Sequence, residues 1–211
     1  MSRAYLAQRL HGIYAIVNEG SPDPVDLTRA ILAGGAHIVQ YRAKTGIVPM
    51  HARALRDLTR AAGALFVLND AWRDVLAYDA DGVHLGPDDA RPDELAAIRT
   101  ALSDRLIGVS CGTLDEVRAA NRRDLDYIGV GSVYATTSKP DAGEPIGLRG
   151  LRAATALARV PVAAIGGITR ARLPEIASAG AAMAAVIAEI AQSADPRRAT
   201  AGLVEMWKAG A

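Results

Sequence analysis

The chain has 211 residues, 50% of them hydrophobic, with 24 Lys and Arg against 23 Asp and Glu and a formal charge of +1. A chain of this length buries a sizeable core, and its even charge argues against binding nucleic acid or a membrane surface through bulk electrostatics. The single cysteine excludes an internal disulfide framework and a multi-cysteine metal site, and no apolar run has the length of a signal segment or a membrane span, so a cytoplasmic location is expected.

Short apolar, β-branched runs alternate along the chain with amphipathic stretches. Strands are expected near 12–17, 36–41, 64–69, 81–85, 106–110, 125–130, 161–165 and 182–187. Helices are expected near 25–33, 49–62, 92–102, 113–122, 148–158, 169–178 and 195–209, and the segment 71–79 is long enough only for a turn or two. Eight strand–helix repeats without a composition break or linker predict an α/β fold, a single-domain (β/α)8 TIM barrel over 1–211. The competing open, doubly wound sheet usually carries a glycine-rich first turn. Here Asn18-Glu19-Gly20 follows the first strand and no GxGxxG occurs.

In such a barrel the chemistry gathers where the strands end, because the following loops share one mouth. The second strand runs out through Gln40-Tyr41-Arg42-Ala43-Lys44, and alternation sends Gln40, Arg42 and, if the strand persists, Lys44 to one side. Such a group suits an anion; the alternative is that the cations snorkel or pair with nearby acids. The third strand ends in Asn69-Asp70 and the fourth in His84-Leu85-Gly86-Pro87-Asp88-Asp89. Adjacent loops can bring Asp70 and Asp89 to one divalent cation, and magnesium suits few carboxylates completed by water and phosphate oxygens. Read singly, Asp70 is an N-cap and Asp89 a turn residue. His84 reads as a hydrogen-bonded core residue and Cys111, after Ser110, as a buried inert thiol.

The sixth strand opens into a long loop, ATTSKPDAGEP, whose Thr136, Thr137, Ser138 and Lys139 suit an oxygen-rich anion, a solvated surface loop being the alternative. The seventh strand ends in Gly166-Gly167, which permits either close backbone approach to a phosphate or a tight turn, and the eighth leads into Ile187-Ala188, where a helical turn would offer free amides. The pattern is that of two anion sites with the Lys139 loop between them.

The stretches GGAHIVQYRAK, VLNDAWRDVLAYDADGVHLGPDD, IGVSCGTLDE, DYIGVGSVYATTSKPDAGEPIGL and VAAIGGIT resemble the thiamine phosphate synthase family, in that family's order and over nearly the whole chain. The resemblance implies a transferase that joins hydroxymethylpyrimidine pyrophosphate to thiazole phosphate with release of pyrophosphate, using Mg2+. By position it implies that Gln40, Arg42, Lys44 and Asn69 bind the pyrimidine pyrophosphate and that Asp70 and Asp89 hold the metal. Ser110, Lys139 and Lys44 would serve the reacting centre, with Thr136 and Ser138 beside them, while Gly167, Ile187 and Ala188 would receive the thiazole phosphate. Small molecules are the implied partners, and a homo-oligomer is left open. Several positions depart from the family: Ala71 where an Arg is common (with Arg73 two places on), Pro87 for Gln, Gly112 for His and Ala188 for Ser. The alternatives are the sister isomerase, which moves protons on thiazole phosphate, and a non-catalytic barrel that binds thiazole or thiamine phosphate.

Overall fold

The structure is a computed structural model that describes residues 1–21, 23–87, 91–138 and 143–210. Eight strands form: β1 (Gly12–Asn18), β2 (Ile38–Arg42), β3 (Leu65–Asn69), β4 (Gly82–Leu85), β5 (Leu106–Cys111), β6 (Tyr127–Val130), β7 (Val162–Ile165) and β8 (Met183–Val186). Each pairs in parallel with the next, and β8 returns to β1 through the register Gly12↔Met183, closing the predicted barrel. The helices are α1 (Arg3–Ala7), α2 (Pro24–Ala33), α3 (Pro49–Ala61), α4 (Pro92–Ala101), α5 (Leu114–Ala120), α6 (Gly147–Leu157), α7 (Leu173–Ser178), α8 (Ala188–Ala191) and α9 (Pro196–Gly210). Among the described residues no helix is long and apolar enough to cross a membrane.

Alternation divides each strand between two cores. Ala15, Val39, Phe66, Val83, Ile107, Ile128, Ala164 and Ala184 face the helices in the larger one. The inner core holds Tyr14, Ile16, Ile38, Leu65, Val67, Leu106, Tyr127, Ala163, Met183 and Ala185, with Leu6 and Leu10 closing its floor. Tyr127 is fully buried in it, and glycines make the room: a Cβ on Gly108 would lie 2.2 Å from the tyrosine Cζ. Gly129 likewise yields to His84, whose Cε1 would stand 2.9 Å from an added Cβ.

The amino ends of the strands are locked by buried carboxylates. Asp126, just before β6, accepts hydrogen bonds from Arg3 Nε at 2.6 Å, Arg99 Nη2 at 2.7 Å and the Ile107 amide at 2.8 Å. Asp81, just before β4, repeats the device with Arg56 Nη1 at 2.9 Å and the Phe66 amide at 2.8 Å. In both cases an arginine from the helix after one strand meets the aspartate that introduces the strand two places on. Each carboxylate also satisfies an amide of the intervening strand.

Some of the expected boundaries need correction. β2 starts at Ile38 rather than 36, and β6 at Tyr127 rather than 125. The single helix expected over 169–178 is a 3₁₀ turn, Arg170–Arg172, followed by α7, because Pro174 in the first turn of α7 has no N–H with which to continue one helix from upstream. The segment 71–79 contributes the 3₁₀ turn Trp72–Asp74, in keeping with the short element expected there. Helix α1 has no counterpart among the expected elements; it is too short for a periodic signal and is held by Arg3 and Leu6.

Replacing Asp126 removes a buried carboxylate from two partly buried guanidinium groups, which keep their bonds to Asp124 and, for Arg99, to backbone carbonyls, and it leaves one strand amide without its partner. Asp126→Ala is expected to lower the unfolding free energy by about 3–5 kcal/mol, read as an earlier urea midpoint at unchanged slope.

Candidate active site at the barrel mouth

The carboxyl ends of β2, β3 and β4 carry the first polar group. Asp70 adopts a left-handed backbone conformation, φ 61, which aspartate tolerates better than most residues. That turn sends its carboxylate across the rim, where Oδ2 accepts from Lys44 Nζ at 2.9 Å and from Asn69 Nδ2, and Oδ1 from the Gly86 amide at 2.9 Å. The N-cap alternative is therefore not what forms: the 3₁₀ turn that follows receives no side-chain cap. Burial pushes the Asp70 carboxyl up, but Lys44 and the Gly86 amide together hold it below the usual carboxylate range.

β2 ends at Arg42, so Lys44 reaches Asp70 from the following loop rather than by strand alternation. Arg42 donates through Nη1 to Asn18 Oδ1 at 3.3 Å, while its buried Nε has no hydrogen-bond partner among the described residues. Gln40 lies deeper, 2% exposed, and donates through Nε2 to Tyr14 Oη at 2.9 Å. Asp89 lies outside the described residues. Among those described, no group of three or more His, Cys, Asp and Glu is arranged to hold a metal ion. Asp70 fits as one carboxylate of a site completed by water and phosphate oxygens, the donor set that magnesium accepts.

His84 is hydrogen-bonded in the core, as expected, with Nδ1 3.2 Å from Tyr127 Oη and Nε2 3.0 Å from Ser110 Oγ. Ser110 lines two spaces. One is a small hollow shared with Tyr14, Gln40 and His84; the other is a cavity of about 1320 Å³ over the ends of β5 to β8. Its volume exceeds that of an ordinary single-ligand pocket. Thr136, Ser138, Gly167, Ile187 and Ala188 line it with Ser110, so six of the expected site residues share one wall. Both described flanks of the long loop, 136–138 and 143–146, face it as well, while Lys139 lies outside the described residues.

Gly166 and Gly167 have φ of 100 and 62, so both are left-handed. They also underlie the chain after β6: a Cβ on Gly166 would stand 2.1 Å from Ser132 Oγ, and one on Gly167 2.7 Å from the Ala135 carbonyl oxygen. These glycines serve the packing of one loop on another as well as exposing backbone to the cavity. β8 then passes through Ile187 into the single turn of α8, whose first amides have no partner within the turn.

Arg172 is a site residue that strand-end reasoning missed. It comes from the 3₁₀ turn after β7, lies over the Tyr134 ring at 4.1 Å and donates through Nη1 to the Gly167 carbonyl. Among the described residues lining the large cavity it is the one that carries a positive charge. The sequence signal was present as a cation six residues beyond Gly166, but only the turn reveals that it folds back.

The departures also acquire environments. Arg73, beside Ala71, stacks on the Trp72 ring at 4.2 Å. Gly112 donates its amide to Glu116 Oε2, within a capping box formed by Thr113 and Glu116. A Cβ there would meet only ordinary contacts, the nearest at 3.5 Å, so packing does not require glycine at that position. Pro87 lines the cavity, joined to Asp70 through its neighbour Gly86.

A family model described as thiamine monophosphate synthase matches residues 13–190. The chain is 43% identical over 192 residues to a thiamine-phosphate synthase of Moorella thermoacetica, covering 89% of this chain and 90% of that protein. Identity to a thiamine-phosphate synthase of Chloroflexus aurantiacus is 44% over 169 residues, covering 79% and 77%. A solved thiamine phosphate pyrophosphorylase from Pyrococcus furiosus superposes with a TM-score of 0.87 at 34% identity, covering 96% of this chain and 98% of that one.

Cys111, 3% exposed beside this cavity, has its thiol pushed up to about 12, by burial first and then by the Glu116 charge, against a smaller opposing pull from Arg123. At pH 8 a thiol reagent such as DTNB is expected to modify it at least about 100-fold more slowly in the folded protein than in denaturant. Comparable rates would refute the inert role.

Proposed function

The chain belongs to the thiamine monophosphate synthase family, and from that premise we propose that it is a transferase joining hydroxymethylpyrimidine pyrophosphate to thiazole phosphate, with thiamine phosphate and pyrophosphate as products. The observation that carries the reading is the lining of the large cavity, which Ser110, Thr136, Ser138, Gly167, Ile187 and Ala188 share. It offers hydroxyls, backbone amides and the Arg172 guanidinium around a volume of about 1320 Å³, room for two small substrates.

The reaction breaks the bond between the pyrimidine CH2 and the pyrophosphate oxygen and forms one from that carbon to the thiazole nitrogen. The aminopyrimidine ring spreads the positive charge that develops as the first bond loosens, and the thiazole nitrogen already holds its lone pair, so no base is needed to activate it. What the protein must supply is charge stabilisation for the departing group and proximity for the nucleophile. Lys44, Arg42, Asn69 and Lys139 would hold the pyrophosphate, and Gln40 in the floor would meet the pyrimidine substrate. Ser110, with Thr136 and Ser138, would donate hydrogen bonds near the reacting centre.

Asp70 and Asp89 would hold Mg2+, which when bound neutralises charge on the pyrophosphate oxygens. Lys44 already bonds the Asp70 carboxylate, so the same ammonium can pass to a phosphate oxygen when the substrate arrives. The amides of Ile187 and Ala188 would take the thiazole phosphate. Arg172 would supply the positive charge there, in a pocket where the family's usual serine hydroxyl is missing at Ala188. The isomerase reading needs an acid or base at Gly112, and glycine provides none.

Incubating the protein with both substrates and Mg2+ should yield thiamine phosphate and pyrophosphate in equal amounts, and absence of product would overturn the assignment. Asp70→Asn is expected to raise the magnesium concentration for half-maximal rate by about tenfold or more; an unchanged requirement would reduce Asp70 to a clamp for Lys44 and Gly86. Arg172→Ala is expected to raise KM for thiazole phosphate by about 10- to 100-fold, the worth of one hydrogen bond to a charged group. KM for the pyrimidine substrate should stay within about twofold, and a change confined to kcat would exclude the anchoring role.

A further inference from the structure

Five polar side chains form an unbroken line through the barrel interior. Gln40 Nε2 lies 2.9 Å from Tyr14 Oη, which lies 2.9 Å from Tyr127 Oη, which lies 3.2 Å from His84 Nδ1; His84 Nε2 then lies 3.0 Å from Ser110 Oγ. The first four side chains are buried, and Ser110 faces the large cavity. Each phenol has one proton to give, and a neutral imidazole has one N–H and one bare nitrogen.

Donor and acceptor counting gives the line a direction. An amide nitrogen can only donate, so Tyr14 accepts from Gln40. The Tyr14 proton must then go to Tyr127, since a buried hydroxyl without an acceptor is costly. Tyr127 in turn gives its proton to His84 Nδ1, which leaves the imidazole proton on Nε2, pointing at Ser110. Ser110 Oγ accepts that bond, and its own hydrogen remains for an acceptor in the cavity.

We propose that the Gln40–Tyr14–Tyr127–His84 line is a polarised positioning device that holds Ser110 as a hydrogen-bond donor toward the pyrophosphate-bearing substrate. The device rests on the reading of Ser110 as a substrate contact at the reacting centre, whereas its direction belongs to the free protein. Gln40 acts as the polarity switch: reversing its amide would present a carbonyl oxygen to Tyr14, turn each bond round, place the imidazole proton on Nδ1 and make Ser110 donate inward. The glycines at 108 and 129 that admit Tyr127 and His84 thus keep a hydrogen-bonded line in a barrel otherwise filled with aliphatic side chains.

The test begins with 15N NMR of the substrate-free, histidine-labelled protein. The chain has 4 histidines, and His84→Gln identifies the signal that matters. The expected result is a proton on Nε2 and a hydrogen-bonded, unprotonated Nδ1; the opposite tautomer, or an imidazolium, overturns the proposal whatever reaction the protein performs. Tyr127→Phe should move the Nδ1 resonance toward that of an unbonded nitrogen. It should also lower kcat by about tenfold or more, with both KM values within about twofold. Combined with Ser110→Ala it should be no slower than Ser110→Ala alone, and multiplicative losses would refute action through Ser110. Should Tyr127→Phe fail to fold, the wild-type tautomer still decides the direction of the line. Thiamine phosphate formation by the wild-type protein tests the proposed reaction separately.

Discussion

A parallel barrel must fill its own centre, and here that requirement is met around Tyr127. Its ring occupies space that Gly108 concedes, while His84 occupies what Gly129 concedes, so the middle of the barrel is set by two aromatic side chains against two missing ones. An interior of leucines and valines alone would pack as densely but would carry no polar atom upward from the floor. Because Tyr127 brings a hydroxyl into the dry core, that hydroxyl needs partners, and Tyr14 and His84 supply them at 2.9 and 3.2 Å. Both phenols are pushed far toward their neutral forms, chiefly by burial. They can therefore pass hydrogen bonds along without becoming charged, and the core stays electrically quiet beneath a mouth that handles anions.

The two ends of the barrel treat charge oppositely. At the amino ends, Asp81 and Asp126 are enclosed by arginines and strand amides, and Asp79 gathers Arg56, Arg60 and Arg105. Burial works against ionisation of Asp79, but its arginines more than reverse it, so its carboxyl sits below the usual range. A depressed folded pKa contributes stability above the unfolded value, and that contribution is lost as pH falls through the folded one. At this end the aspartates meet arginines within the protein, and Asp79 gives the lock its acid sensitivity. At the carboxyl ends the pairing is looser: Lys44 is half exposed in its bond to Asp70, and Arg172 is held by a ring face and a carbonyl rather than by a carboxylate. A half-exposed cation, or one held by a ring face and a carbonyl, keeps its capacity to bind a phosphate.

This division explains what could be read from the sequence. Strand order and barrel closure followed from periodicity, because each strand is apolar on both faces and each helix on one. Several expected site residues also reached the mouth, since Ser110, Gly167 and Ile187 need only the end of a strand to be placed. Periodicity could not reveal that Gln40 turns into the floor rather than the mouth, as its fate depends on Tyr14 across the barrel. Helix α1 was invisible for the same reason: its bonds run from Arg3 to Asp124 and Asp126, more than a hundred positions away. Arg172 was missed because a 3₁₀ turn, forced apart from α7 by Pro174, directs it back over Tyr134. In each case a contact distant in sequence decides where a polar side chain points.

The chemistry assigned to the mouth is consistent with what the core withholds. A reaction in which the nucleophile arrives with its lone pair and the leaving group departs as an anion asks for donors and positive charge, and has no use for a strong base nearby. Cys111 has its thiol pushed up to about 12, the carboxylate of Glu116 is spent on the amides of Gly112 and Thr113, and His84 is engaged by a phenol on one side and a serine on the other. Groups that would abstract protons elsewhere are here tied into capping and packing. Donors such as Ser110 and Arg172 line the cavity, so the same folding constraints that engage bases leave donors facing an oxyanion.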